Sequence, residues 1–179
     1  MTPSTRAKLA ASISQSEGRI SWLYRDSAEE GNATTGVGHL VASYPAAQLL
    51  PFDTPITAGE WQELMSAPVG LVASAYRQYT VGRLSYDAID SLLDLDLSAA
   101  EKSLSARWAK FPAFPESAQM ALVDMVYNLG LGGLLKFTHL CAAVDSQDWA
   151  TAAKECHRQG ISEARNQLTA ARFQEAILE

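Results

Sequence analysis

Two acidic residues set the chemistry this chain could perform. Glu17 and Asp26 stand with eight residues between them in the stretch EGRISWLYRDSAEEGNATTGVGH, positions 17 to 39. Two carboxyl groups facing each other across a gap are the minimum equipment for cleaving a glycosidic bond. One protonates the leaving oxygen, and the other directs a water or attacks the sugar. A separation of about 6.5–9.5 Å leaves room for the water and inverts the anomeric centre, whereas about 5–5.5 Å implies retention. Thr34 and Thr35 follow, with hydroxyls able to hold such a water, and then the run Gly36-Val37-Gly38-His39.

The elements that must position these groups are readable from local pattern. Leu9 and Ile13, four apart, predict an amphipathic helix over residues 5–16, and Gly18 is placed to stop it. Glu17 then ends the helix, and either burial or the peptide dipoles there would favour the protonated carboxyl that a general acid needs. Residues 20–25, β-branched and aromatic, predict a strand. Residues 28–33 with Gly31-Asn32 predict a polar loop, 34–37 a second strand closed by Gly38, and a third short strand follows. Residues 41–55, with three prolines, predict loop. Thr57 and Glu60 form a capping-box pattern for a helix to about residue 65, interrupted at Pro68 and resumed over 69–79. Ser85 opens a helix to about residue 95, and Ser98 with Glu101 reads as a second capping box for a helix over 99–108. Nearly continuous, the two would suit a link between two lobes. Residues 111–115 are a break. From 115 to 129 apolar side chains cover almost the whole circumference, as in a buried central helix, which Gly130, Gly132 and Gly133 end. Helices over about 134–144, 148–158 and 162–178 complete an α+β chain. Residues 1–179 read as one domain: a sheet-containing lobe over about 15–84, an interlobe helix region over about 85–108, and a helical lobe over about 109–179 plus the N-terminal helix.

The formal net charge of −6 argues against a nucleic-acid binder and gives no general attraction to anionic surfaces. No run approaches eighteen apolar residues, so no spanning helix and no membrane partner are expected. The first eighteen residues lack the continuous apolar core of a secretory signal, so action outside the cytoplasm would need another route. The two cysteines, Cys141 and Cys156, are too few for a disulfide framework and are expected as reduced, buried thiols, with a disulfide between neighbouring helices as the alternative. With His139 and His157 they match no standard zinc spacing, so neither a metal nor a cofactor is expected.

Glu17, Asp26 and Thr34-Thr35-Gly36-Val37-Gly38-His39 resemble the signature of the phage-type lysozymes, the endolysin family of tailed phages. That pattern is Glu, eight residues, Asp or Cys, five residues, Thr, then Gly-x-Gly-His. The first spacing matches; the second is seven residues here, so the hairpin is two longer. The stretch 82–99 resembles the family's interlobe helix, and Ala121 to Gly130 its buried helix. Phe137-Thr138, Trp149 with Ala152-Ala153, and Arg165 with Phe173 resemble its closing helices. The pattern is lost over 41–81, where a helical insert of this chain's own is expected. The resemblance implies a lysozyme-like α+β fold, with a small antiparallel sheet lobe and a larger helical lobe joined by a long helix. It implies an inverting muramidase acting on the β-1,4 bond between N-acetylmuramic acid and N-acetylglucosamine in peptidoglycan, leading to lysis. It makes Glu17 the general acid, Asp26 the base and Thr34 the water-holding hydroxyl, with Thr35 as the alternative. Asn128, Arg165 and Leu40 would contact substrate, Arg165 also pairing with the acid. His39 and Asp96 would form a structural pair tying one lobe to the other. A monomer is expected, delivered from the cytoplasm to the periplasm and wall by a holin or a secretion apparatus. Similar domains also end antibacterial secretion effectors, where an immunity or inhibitor protein is a further partner.

Taken singly, the same residues have plainer readings. Glu17 is a helix-end surface glutamate, Asp26 a turn-starting aspartate, and Tyr127 and Trp149 are core aromatics rather than sugar platforms. Two other functions compete with hydrolysis: a lysozyme-like module that grips peptidoglycan without cutting it, and a lytic transglycosylase, which uses one Glu and leaves 1,6-anhydro ends. The acidic charge adds an expectation of poor action on cells rich in teichoic acids.

Overall fold

The computed structural model describes residues 1–27 and 30–179, so Ala28 and Glu29 of the expected polar loop lie outside the described residues. Two compact units make up the chain. A sheet unit covers Glu17–Leu95, and a helical unit covers Met1–Ser16 with Asp96–Glu179. Together they give an α+β fold.

The sheet unit begins where α1 (Pro3–Glu17) ends at Gly18. Strands β1 (Ile20–Arg25), β2 (Ala33–Gly36) and β3 (His39–Leu40) form an antiparallel sheet in that order. Their register pairs Ile20 with Gly36, Tyr24 with Thr34, and Arg25 with Ala33. β1 therefore advances four residues while β2 advances two, and its surplus backbone needs other partners. The Thr35 hydroxyl supplies one, lying 3.0 Å from the Trp22 carbonyl and 3.4 Å from that of Ile20. The Leu84 amide supplies another, to the Ser21 carbonyl.

Residues 41–55 are not all loop. Ser43 accepts from the Ala46 amide and Pro45 sits in the first turn of a short helix, α2 (Tyr44–Gln48). The proline expected to break structure starts it, because its fixed φ suits a first turn. The Thr57–Glu60 capping box forms and opens α3 (Ala58–Ser66). The helix expected to resume over 69–79 is only a 3-10 turn at Ala73–Gln78. The two helices expected around 85–108 are one, α4 (Tyr86–Arg107), whose residues fall in both units. Ser98 does not cap a second helix. Arg6 takes both members of that pattern, donating to Ser98 Oγ at 2.7 Å and Glu101 at 2.9 Å.

In the helical unit α5 (Glu116–Leu134) is central, with every residue from Ser117 to Val126 buried except Met120. The expected stop at Gly130 is a kink: Gly130 takes φ 67°, ψ 164°, and helical structure resumes after it. α6 (Thr138–Ser146), α7 (Trp149–Glu155) and α8 (Glu163–Glu175) follow, the last two capped by Asp148 and Ser162. Trp149 lies between Phe114 at 5.2 Å and Phe173 at 6.3 Å, as a core residue. Cys141 and Cys156 are buried free thiols. No single helix among the described residues is long and apolar enough to cross a membrane.

Candidate active site

Glu17, Asp26, Thr34, His39 and Leu40 all belong to the sheet unit. Glu17 is the last residue of α1, at the helix end expected of it, and is exposed rather than buried. Asp26 follows β1 and is half-buried. Its carboxylate closes the base of the hairpin loop: Oδ1 accepts from the Asn32 amide at 2.9 Å and Oδ2 from Asn32 Nδ2 at 3.2 Å. The Asp26 amide donates back to the Asn32 carbonyl at 2.9 Å.

Tyr24 is a neighbour of both candidate acids that the sequence does not mark. It sits on β1 two residues before Asp26, and its phenol is pushed up to about 12 by burial, then by the charges of Glu17 and Asp26. The hydroxyl is therefore a neutral donor at any ordinary pH, within the field of both acids. Nothing local marks it, because a tyrosine in a strand is common.

The two threonines have different surroundings. Thr35 is fully buried and its hydroxyl is directed at the β1 carbonyls. Thr34 is 4% exposed, and its hydroxyl donates to the Asn32 carbonyl at 3.2 Å, next to the Asp26 carboxylate's own partner. His39 is half-buried opposite Thr35 in the sheet, and Leu40 is 56% exposed.

Asp96, Asn128 and Arg165 belong to the helical unit. Asp96 is half-buried on α4. Arg165 is buried at the start of α8, donating from Nη2 and Nε to Asp124 Oδ1 at 3.1 and 3.3 Å. Arg158, 1% exposed, donates to Asp124 Oδ2 at 2.8 Å, to Thr169 at 2.7 Å and to the Asn128 side-chain oxygen at 3.3 Å. Burial alone would raise the Asp124 carboxyl, but Arg165 and Arg158 outweigh it and hold it below the usual carboxylate range. Asn128 is thus oriented by Arg158, a partner that only the fold reveals.

The family model described as phage lysozyme matches residues 14–172. Over 149 residues the chain is 25% identical to the pre-baseplate central spike protein Gp5 of Enterobacteria phage T4, covering 82% of this chain and 23% of that protein. Over 144 residues it is 24% identical to probable T4-type lysozyme 1 of Dictyostelium discoideum, covering 78% and 75%. The chain thus spans about a quarter of the spike protein and three quarters of the second relative. With the matched residues running from the end of α1 through Arg172, and both acids inside them, the chain belongs to the phage lysozyme family.

Proposed function

We propose that the chain is a muramidase that hydrolyses the β-1,4 bond between N-acetylmuramic acid and N-acetylglucosamine in peptidoglycan, with inversion. Family membership supports a peptidoglycan hydrolase of the lysozyme type. The observation that supports the reading is that Glu17, Asp26 and Thr34 all fall in the sheet unit and inside the family match.

Glu17, exposed at the end of α1, protonates the glycosidic oxygen as the bond from the anomeric carbon breaks. Asp26 takes a proton from the water whose oxygen bonds to that carbon on the opposite face. Asn32 holds the Asp26 carboxylate through both oxygens, which fixes the orientation in which it meets the water. Thr34 donates to Asn32 and keeps acceptor lone pairs for the same water, whereas the Thr35 hydroxyl is occupied inside the sheet. That difference favours Thr34 for the role. Asn128, Arg165 and Leu40 are the proposed substrate contacts.

The test is mass spectrometry of the muropeptides released from purified peptidoglycan. Wild type should yield new reducing ends, and proton NMR of fresh product should show the α-anomer. Glu17→Gln should lower the rate by at least ~100-fold and Asp26→Asn by a similar factor. Release of 1,6-anhydro ends, with Asp26→Asn nearly as active as wild type, would overturn the mechanism. Wall binding with no release by wild type would overturn the activity.

A further inference from the structure

Among the described residues, Arg25, the neighbour of Asp26, donates four hydrogen bonds, all to backbone carbonyls. Nε reaches Gly31 at 2.9 Å and Nη2 reaches Glu30 at 2.7 Å. Nη1 reaches Met65 at 3.0 Å and Ala67 at 2.6 Å. A guanidinium is a rigid planar fork with five donors, so it can serve two pieces of backbone on two edges at once. One edge holds the loop that follows Asp26. The other holds the end of α3, where the last carbonyls lack helical partners and α3 supplies no basic residue of its own. Arg25 is thus a helix cap supplied from a strand forty residues earlier in the chain.

The loop also rests directly on the segment after α3. Gly31 has φ 62°, and a Cβ there would lie 2.7 Å from Val69 Cγ2 and 2.9 Å from Arg25 Nε. Only glycine combines that backbone with that approach. Trp22, three residues before Arg25, grips the same region, its indole N–H donating to the Ala73 carbonyl at 2.8 Å. The stretch from α3 to the 3-10 turn lies where the family pattern is lost, and the hairpin it touches is the one that is two residues longer.

We infer that α3 and the residues after it brace the lengthened hairpin, and that Arg25 is the positioning residue through which the brace sets the Asp26 carboxylate. The route is short. Arg25 fixes Glu30 and Gly31, the next residue is Asn32, and Asn32 holds both Asp26 oxygens. The inference rests on the reading of Asp26 as the base. Arg25 touches no reacting atom in that scheme, so its loss misplaces the water without removing a sugar contact.

The test measures steady-state kinetics on soluble peptidoglycan fragments, thermal midpoint and amide exchange for Arg25→Met, Arg25→Lys, Asp26→Asn and the double variant Arg25→Met/Asp26→Asn. Arg25→Met should lower kcat by about 10–100-fold with KM changed by less than about threefold. Lysine can cap α3 but cannot span both edges, so Arg25→Lys should regain the midpoint and not kcat. The Asn32 amide should exchange faster in both variants. In the Asp26→Asn background, Arg25→Met should cost little more. Wild-type kcat in Arg25→Met, unchanged Asn32 exchange, or the same loss in the Asp26→Asn background overturns the inference. Full activity of Asp26→Asn instead overturns the reading of Asp26. Asn32 exchange then judges the brace alone, and Arg25→Lys serves if Arg25→Met does not fold.

Discussion

Tyr24 reports on both acids at once. Its raised phenol means that whatever stability it contributes is complete below the ordinary tyrosine value of about 10 and is lost as pH rises through about 12. Since burial is the larger cause and the acids add to it, Glu17→Gln should lower the Tyr24 midpoint while leaving it above the ordinary value. NMR titration of labelled tyrosine rings, assigned with Tyr24→Phe, reads this directly. An unchanged midpoint in Glu17→Gln and in Asp26→Asn would separate the two acids from Tyr24 and weaken their pairing. At this scale the sequence shows the acids, because their types and spacing are local. It hides Tyr24, Asn32 and Arg25. Arg25 acts through carbonyls as far away as Ala67, and a carbonyl carries no residue identity to read.

Between elements of the helical unit, Asp124 on α5 is held by Arg165 of α8 and by Arg158 in the turn before it. Asp124 is 2% exposed, and removing its charge takes a buried carboxylate away from two buried cations. Asp124→Asn should therefore destabilise the chain by about 3 kcal/mol or more, read by urea unfolding at neutral pH. The sign of the pH effect follows from the lowered carboxyl. Its stabilisation is present above the unfolded value of about 3.9 and disappears as pH falls through the lower folded value. The variant's stability should accordingly fall less steeply than wild type below about pH 4; parallel curves would show that the pair contributes nothing. Elements with local signals were legible, as with the capping box of α3 and the stop at Gly18. The continuity of α4 was not, since Ser98 and Glu101 spell a cap and only the distant Arg6 claims them otherwise. Nor was α2, where Pro45 begins a turn of helix in a stretch read as irregular.

Across the whole molecule, charge is divided unevenly. The sheet unit holds ten acidic residues against four basic ones, and the helical unit holds ten of each. The net −6 therefore sits entirely on the unit that carries both candidate acids, and an anionic wall polymer would repel that unit first. Glu63 and Glu155 are exposed at or near the ends of α3 and α7, where lysine also suits the helix dipole. Glu63→Lys on the sheet unit should raise the rate on teichoic-acid-rich cells by roughly two- to tenfold at low salt, and Glu155→Lys should raise it less. Turbidity assays at two salt concentrations decide this, and equal or absent gains would refute the dependence on where the charge sits.

The two buried thiols give the molecule a built-in clock. Cys141 and Cys156 both lie in the helical unit, and burial pushes both thiols up. A thiol reagent needs access and a thiolate, so alkylation waits for the helical unit to open. The rate of labelling then times the breathing of that unit alone. Proteolysis within the sheet unit can be followed beside it, so the two halves can be ranked in kinetic stability without an engineered probe.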